Sequence, residues 1–245
     1  DAEALALARS VATARGLHIE TYGGGEGADW RPVIVGTAEG RTCVDLYHPG
    51  GVLRDLRTVL PGYYNMNNLA GAIAAAARAG APLDHVRATI ESFRGVSRRW
   101  EQKGEAGGVL VIDDYAHHPA AVRTILQSAR ELYADRQVWI AFQPHTYSRT
   151  RDLMHEFAEA LRLADRAYVL DVYAAREQPD PEASGERLAV LAGSAAAYAG
   201  GVEGAATRIA ADAVPGVLVL AVGAGDVTRL GPRLLEHLRD SEAGG

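Results

Sequence analysis

The sequence predicts an α/β protein in which a parallel sheet, covered by helices on both faces, follows a smaller region of short antiparallel strands. From about residue 108, apolar runs such as "GVLVIDD" alternate with helical patterns, as in parallel sheets. Before that point, three β-rich runs are separated by Gly and Pro, as in an antiparallel meander. The change of pattern predicts a boundary at Arg94–Gly95 and domains over residues 1–94 and 95–245.

The elements predicted for the first domain are a helix over residues 2–15, a strand over 17–23, three strands over 31–36, 41–49 and 51–60, and two helices, after Gly62 and from about Leu83. In the first helix Leu5, Ala8 and Val11 share a face, and the last helix is expected to bury Phe93. The domain starts on a helix with no strand before it. We therefore expect the chain to be the C-terminal portion of a longer protein.

The second domain is predicted to contain strands over residues 108–114, 137–144, 166–173 and 216–226, and helices over 119–133, 148–164, 185–199, 203–214 and 229–238. In doubly wound sheets, ligands bind beyond the carboxyl ends of the strands. Polar clusters fall at four such ends, at residues 113–118, 143–149, 171–177 and 223–226. The sequence therefore predicts a binding site along this edge of the sheet.

Composition and charge disfavour several classes of function. The net charge of −6 argues against nonspecific nucleic-acid binding. No apolar run approaches the roughly 20 residues of a membrane span, and the first residues lack the pattern of a signal peptide. Cys43 is the only cysteine, so no internal disulfide forms and a reducing cytoplasm is the expected location. The oligomeric state stays open.

The chain lacks a nucleotide-binding loop of the type G-x-x-x-x-G-K-[ST]. That loop places a lysine between Gly and Ser or Thr, and the only lysine, Lys103, lies in "EQKGE". The "GAG" at residues 223–225 is an incomplete dinucleotide-binding pattern, since Thr228 stands at the third glycine position. This argues against a Rossmann-type oxidoreductase, which is one alternative function.

The stretch "VIDDYAHHP" concentrates polar groups at the end of a predicted strand. Asp113 and Asp114 suit a ribose hydroxyl, a metal held through water, or the cap of the next helix. Adjacent histidines point in different directions, so His117 and His118 are not expected to share a metal. We expect one of them to contact a ligand and the other to form a structural hydrogen bond.

Cationic side chains lie near two of these clusters. In "QPHTYSRT", His145 and Arg149 precede a helix, and an arginine there is suited to holding a carboxylate or phosphate in a bidentate way. Arg98 and Arg99 either reach a phosphate or form an ordinary solvated pair.

Three asparagines, Asn65, Asn67 and Asn68, lie at a predicted helix start, where one would serve as a cap. Amides also match the donor and acceptor edge of adenine, and both interpretations stay open.

Six segments in this order resemble the Mur ligases: "PGYYNMNNLAGAIAAA", "GVSRRWEQKGE", "DDYAHHP", "FQPHTYSRTRDL", "DVYAAREQPDP" and "GAGDVTRL". The match runs from about Tyr22 to Leu238. "FQPHTYSRT" favours the alanine-adding branch, although the tripeptide-adding branch shares a similar "DD-aromatic-AHHP" element. The resemblance implies the end of a central ATP-binding domain followed by a C-terminal, Rossmann-like domain that presents the amino acid.

The resemblance also implies a reaction. ATP phosphorylates the carboxylate of UDP-N-acetylmuramate, and the amine of L-alanine attacks the acyl phosphate, giving a peptidoglycan precursor. ATP and Mg²⁺ are the implied cofactors, with the metal ligands and the phosphate-binding loop upstream of this chain. The chain alone is therefore expected to be inactive. A noncatalytic module that binds nucleotide or amino acid is the other alternative.

Residue roles follow from the same resemblance. Asn65 and Asn68 are similar to the adenine contacts, Arg99 to the arginine that reaches the ATP phosphates, and Asp114 to the acid that meets the ribose. Of these, Arg99 is also expected to take part in catalysis.

The alanine site is expected to comprise Tyr115, His117, His145 and Arg149, with Arg149 on the carboxylate and His117 also catalytic. Some members have an arginine where Thr146 stands, so Thr146 is left out of the expected site.

Overall fold

The computed structural model describes residues 2–243, and the chain divides into two compact units between Arg94 and Gly95. The first unit contains helices α1 (Ala2–Arg15), α2 (Tyr63–Arg78) and α3 (Val86–Ser92), a 3₁₀ turn (Leu83–His85), and strands β1 (Arg31–Ala38), β2 (Arg41–His48) and β3 (Gly51–Thr58). The strands form an antiparallel sheet in the order β1-β2-β3, which confirms the predicted meander. Glu39 and Gly40, both with positive φ, make the tight β1–β2 turn.

Helices α2 and α3 pack on this sheet around a small apolar core: Trp30, Leu46, Leu56, Ala70, Ile73 and Ile90. Two predictions for this unit are wrong, the strand over residues 17–23 and the burial of Phe93. Residues 17–23 form no strand beyond a single bridge between Tyr22 and Trp30. Phe93 is 43% exposed because it lies just past the end of α3. In α1, Ala12 is buried while Val11 is 43% exposed.

The second unit contains strands β4 (Glu101–Ala106), β5 (Val109–Asp114), β6 (Gln137–Phe142), β7 (Arg166–Leu170), β8 (Ala196–Gly200) and β9 (Val217–Val222). Its helices are α4 (Pro119–Leu132), α5 (Tyr147–Asp152), α6 (Met154–Leu161), α7 (Gly185–Ala192), α8 (Val202–Asp212) and α9 (Leu230–Ala243), with a 3₁₀ turn at Asp226–Arg229. The sheet order is β4-β5-β9-β6-β7-β8. All neighbours are parallel except β4 and β5, so the predicted parallel sheet is confirmed with one antiparallel edge.

Strands β5 and β9 are buried at every position, which explains their continuous apolar runs. Three elements differ from the prediction. Strand β4 was not predicted, the helix expected over 148–164 breaks at Leu153, and the helix expected over 185–199 ends at Ala192 before β8. Gly193, with φ 102°, ends α7 in a conformation that favours glycine. Among residues 2–243, no helix has the length and apolarity to cross a membrane.

Candidate functional site

The candidate site lies at the point where the strand order of the second unit reverses. β9 is hydrogen-bonded to β5 on one side and to β6 on the other. Asp114 and Phe142, the last residues of β5 and β6, are both paired with Val222. The loops that follow these strands therefore leave the sheet side by side, as at the ligand edge of doubly wound sheets.

Four rings from three different loops form a continuous row along this edge, called here the aromatic row (Tyr115, His117, His145 and Tyr173). Tyr115 and His117 meet edge to face at 5.2 Å between centroids. His117 lies 6.1 Å from His145, which stacks on Tyr173 at 5.5 Å. The structure thus brings together three residues expected in one site, and adds Tyr173.

Arg98 does not form a solvated pair with Arg99, because its guanidinium is held by the loop that follows β9. Its Nη2 donates to the carbonyl oxygens of Gly223 (2.7 Å) and Gly225 (2.9 Å), and its guanidinium lies 4.8 Å from the Tyr115 ring centroid. Its own carbonyl accepts from the Tyr115 N–H at 2.7 Å. Arg98 therefore fixes Tyr115 against the loop that follows β9.

Arg99 differs from its neighbour because its side chain is exposed. Its guanidinium lies 5.3 Å from the Tyr115 ring centroid. Such a cation–π contact is weak at an exposed position. Arg99 is therefore the more available of the two cations for an anionic ligand.

The two aspartates at the end of β5 are both buried, and they face opposite sides of the sheet because strand residues alternate. Asp114, 3% exposed, accepts the N–H of Trp100 at Oδ2 (2.9 Å) and of Ala116 at Oδ1 (2.8 Å). Asp113 accepts from the Thr228 hydroxyl at Oδ2, while Oδ1 has no partner among the described residues. Burial raises the pKa of both carboxyl groups, partly offset by these hydrogen bonds.

One of the two adjacent histidines forms the structural hydrogen bond that was expected. His118 caps α4, with Nδ1 accepting from the Ala120 N–H at 3.4 Å. His117 joins the aromatic row, and its Nδ1 lies 2.9 Å from the Tyr115 carbonyl oxygen. The interpretation of either aspartate as the cap of α4 is therefore wrong.

The segment carrying His145 and Arg149 is held in place by the loop after β7. The Thr146 N–H donates to the Tyr173 carbonyl (2.9 Å). Glu177 accepts both the backbone N–H (2.7 Å) and the hydroxyl of Ser148 at the start of α5. These hydrogen bonds lower the pKa of Glu177, against a smaller opposing effect of burial.

Two polar atoms beside the aromatic row have no partner among the described residues: Nη1 of Arg149 and Nδ1 of His145, both buried. Burial, followed by the charges of Arg149 and His117, lowers the pKa of His145. Buried donors, charged ones above all, are normally satisfied. Arg149 therefore presents an unused charged donor beside a neutral imidazole, a combination suited to a small carboxylate.

The glycines of the "GAG" loop are accounted for by close packing. A Cβ at Gly225 would lie 2.5 Å from Tyr173 Cγ, and a Cβ at Gly223 would lie 2.7 Å from the Gln143 carbonyl oxygen. Gln143 in turn holds the loop, since its Nε2 donates to Asp226 (2.7 Å). These contacts explain the glycines without a dinucleotide.

The asparagines lie in the first unit. α2 begins after Gly62, which makes no side-chain cap, so the capping interpretation is wrong. Asn65 is buried and its Nδ2 donates to the Pro61 carbonyl (2.7 Å). Asn68 is exposed, and Oδ1 of Asn67 is buried without a partner among the described residues.

Sequence reasoning missed Tyr173, Glu177 and Gln143 as individual residues. The polar clusters at residues 143–149 and 171–177 were the available signal, but their partners lie up to 84 positions away. No local pattern identifies such pairs. Among residues 2–243, no group of three or more His, Cys, Asp or Glu side chains is arranged to hold a metal ion.

A mostly parallel sheet with its candidate site at the switch point defines an α/β protein of the doubly wound class. Within this class, the family model described as "Mur ligase, glutamate ligase domain" matches residues 98–225, more than half of the chain. The chain belongs to the Mur ligase family, which confirms the resemblance seen in its motifs.

Named relatives support the same assignment. The chain is 44% identical to a UDP-N-acetylmuramate–L-alanine ligase of Kineococcus radiotolerans over 94% of this chain and 49% of that protein. For the Koribacter versatilis ligase of that name the identity is 40%, over 90% and 49%. The Thermotoga maritima structure of a UDP-N-acetylmuramate–alanine ligase superimposes with a TM-score of 0.70 at 27% identity, over 89% of this chain and 47% of that one. The chain thus spans about half the length of the relatives it matches.

Proposed function

We propose that this chain is part of a ligase that joins L-alanine to UDP-N-acetylmuramate with ATP, a step of peptidoglycan precursor synthesis in the cytoplasm. The observation that carries this proposal is the unsatisfied Arg149 donor next to the aromatic row. L-alanine is a small zwitterion, so a cation for its carboxylate and neutral polar groups for its amine suit it. The names and identities of the relatives support this substrate.

In the proposed reaction, the terminal phosphate of ATP moves to the muramate carboxylate. The alanine amine then attacks the acyl phosphate carbon, the amide bond forms, and inorganic phosphate leaves. Mg²⁺ would neutralise phosphate charge in the first step. We assign the ligands of Mg²⁺ to the part of the parent ligase upstream of this chain, as the resemblance implies.

The proposed roles divide between the two units. Residues 1–94 supply the C-terminal part of the ATP-binding domain, where the exposed Asn68 and the remaining acceptor of Asn65 contact adenine. In residues 95–245, the exposed Arg99 reaches the phosphates. Asp114 meets the ribose with lone pairs that its two backbone partners leave unused.

Around the amino acid, Arg149 binds the carboxylate of L-alanine, and the Tyr115, His117 and His145 rings surround its amine and methyl group. Water must be excluded here, because an acyl phosphate hydrolyses readily. The aromatic row supplies apolar ring surface for that purpose.

The test is a hybrid ligase in which this chain replaces the matching half of the Kineococcus enzyme. Phosphate release is measured with ATP, Mg²⁺, UDP-N-acetylmuramate and L-alanine, for the hybrid and for this chain alone. We expect activity in the hybrid and none in the chain, which lacks the phosphate-binding loop.

The matched control is Arg149→Met, which keeps the aliphatic length and removes the charge. We expect the KM for L-alanine to rise at least tenfold, since a hydrogen bond to a charged group contributes about 1.5–3 kcal/mol, and the KM for ATP to stay unchanged. The unfolding temperature of the variant should not fall, because the buried Nη1 of Arg149 has no hydrogen-bond partner among the described residues that the substitution could remove. Equal KM values for L-alanine in both proteins would refute the proposed site. Activity only with a tripeptide in place of L-alanine would identify the tripeptide-adding branch.

A further inference from the structure

Thr146 has a backbone conformation that a residue with a branched side chain rarely adopts. Its φ is 67° and its ψ is 141°. This region favours glycine because a Cβ is crowded there, and a β-branched residue in it is a genuine outlier. Thr146 occupies the cap position of α5, yet its hydroxyl makes no cap hydrogen bond. Capping therefore does not offset the strain.

Strained backbone is concentrated along the edge of the sheet that carries the candidate site. Among residues 95–243, the non-glycine residues with positive φ all belong to loops of this edge: Arg98, Trp100, Thr146 and Ala175. Thr146 also lies between His145 and Arg149, which have the unsatisfied buried nitrogens beside the aromatic row. Strain of this kind persists only where the surroundings impose it, and it is typical of functional sites.

The chain before Thr146 is fixed by Tyr173. The Tyr173 N–H donates to the Pro144 carbonyl (2.8 Å), and the Thr146 N–H donates to the Tyr173 carbonyl (2.9 Å). These two hydrogen bonds set His145 in a parallel bridge with Tyr173, on whose ring it stacks. The chain then has to pass from this bridge into helix α5 within one residue, Thr146.

The chain after Thr146 is fixed by Thr150, which is fully buried. Thr150 donates twice to the Thr146 carbonyl oxygen, from its hydroxyl (2.7 Å) and from its N–H (3.1 Å). The N–H bond is the ordinary bond of a helical turn. The hydroxyl bond is an addition that serine and threonine can make. Valine would fill nearly the same volume, so packing alone does not call for the hydroxyl.

We propose that Thr150 is a positioning residue, whose hydroxyl locks Thr146 in its strained conformation. The sign of φ at Thr146 decides on which side of the start of α5 His145 lies. The lock thereby directs His145 and Arg149 at the same amino acid. This inference rests on the proposed function and goes beyond it by naming a residue that acts without touching the substrate.

The lock is needed because threonine resists this conformation. Glycine adopts a positive φ at no steric cost, so Thr146→Gly should make the Thr150 hydroxyl dispensable. The effects of substitutions at 146 and 150 should therefore not add. Two independent structural effects would add, which makes this coupling the signature of the lock.

The first test is NMR and thermal unfolding of this chain. A positive φ brings the amide and α hydrogens of a residue closer together, so we expect a strong intraresidue NOE at Thr146 that weakens in Thr150→Val. Thr146→Gly should raise the Tm by about 2–6 °C, because relief of strain outweighs the entropy that glycine adds to the unfolded chain. A weak NOE in the unsubstituted chain, or a lower Tm in Thr146→Gly, would overturn the proposal irrespective of any activity.

The second test measures KM for L-alanine in the hybrid ligase. Thr150→Val should raise it about two- to tenfold, the range that corresponds to one neutral hydrogen bond, with the KM for ATP unchanged. Thr150→Ser keeps the hydroxyl and should restore the KM of the unsubstituted hybrid. Adding Thr146→Gly to Thr150→Val should bring the KM back to within about twofold of that value.

The matched control is Thr124→Val. The Thr124 hydroxyl donates to the carbonyl of Ala120, four residues earlier in α4 (2.9 Å), and Ala120 has no positive φ. We expect this variant to keep the KM for L-alanine. An equal rise in KM from Thr150→Val with and without Thr146→Gly would overturn the proposal while the proposed function stands. If the unsubstituted hybrid releases no phosphate with L-alanine, the proposed function fails instead, and the NOE and Tm results still decide whether Thr150 locks Thr146.

Discussion

The carboxyl edge of the second sheet has two halves that differ in what the buried side chains of their cations and acids contact. In the half made by β5 and β9, Asp114 and Arg98 direct their side chains to backbone groups of neighbouring loops. In the half made by β6 and β7, His145 and Arg149 each keep a buried nitrogen without a partner in the described chain. We call these the closed half and the open half.

The difference indicates a division of labour along one edge. In the closed half, Asp114 engages both carboxylate oxygens and Arg98 engages Nη2 with backbone groups, although Arg98 Nε and Asp113 Oδ1 have no partner among the described residues. Such hydrogen bonds to backbone groups stabilise a single arrangement of the loops, which suits a scaffold. Buried groups left unsatisfied destabilise the free protein and gain a partner when ligand binds. We therefore propose that the closed half holds the loops and that the open half receives a small anion.

The largest expected effect comes from Asp114→Ala, which breaks the closed half. The substitution leaves the buried N–H groups of Trp100 and Ala116 without acceptors, at about 1–3 kcal/mol each. We therefore expect the free energy of unfolding to fall by about 2–5 kcal/mol in urea titrations followed by tryptophan fluorescence. Asp113→Asn is the control, since it keeps an acceptor for the Thr228 hydroxyl and should cost less than about 1 kcal/mol. Equal losses in the two variants would contradict the assignment of Asp114 to the closed half.

A smaller effect is expected when Arg98 is replaced by Met. The carbonyls of Gly223 and Gly225 lose a charged donor, and hydrogen bonds of that kind contribute about 1.5–3 kcal/mol. We expect unfolding to become easier by about 1–3 kcal/mol. Arg99→Met should change stability by less than about 0.5 kcal/mol, because its side chain is exposed. A similar loss of stability in both variants would mean that Arg98 does not hold the loop more firmly than the exposed Arg99 does.

The sequence predicted those strands of the second sheet that carry a continuous run of apolar residues. Strands β5 and β9 are buried along their whole length, so their apolar runs were visible. β4 ("EQKGEA") and β8 ("AAYAG") lie at the two sides of the sheet, where partial exposure allows charged or small residues. Neither has the apolar run of a central strand, and both were missed.

The site shows the same limit. The position of the polar clusters was predictable, because each follows the end of an apolar strand and parallel strands end at the same edge of the sheet. The partners of Arg98 lie about 125 positions away, and Glu177 lies 29 positions from Ser148. No periodicity encodes such contacts, so the sequence alone did not separate the closed half from the open half.

The smallest expected effect concerns the support of the open half and depends on pH. The hydrogen bonds from Ser148 lower the pKa of Glu177 below its ordinary value of 4.5. A carboxylate with a lowered folded-state pKa contributes stability above its unfolded pKa, and this is lost as pH falls through the folded value. The support of α5, and with it the position of Arg149, should therefore weaken only in acid below about pH 4.5.

Glu177→Gln checks this because it keeps an acceptor but removes the charge. Above pH 4.5 the unsubstituted chain should have a slightly higher Tm than the variant, and the gap should close as Glu177 becomes protonated. L-alanine affinity, measured by calorimetry near neutral pH, should fall by a few-fold in the variant, since Arg149 lies on the helix that Glu177 holds. A difference in Tm that persists below about pH 4.5 would show that Glu177 supports α5 through its shape and not through its charge. An unchanged affinity would show that Arg149 keeps its position without the Glu177 charge, and the open half would then be as rigid as the closed one.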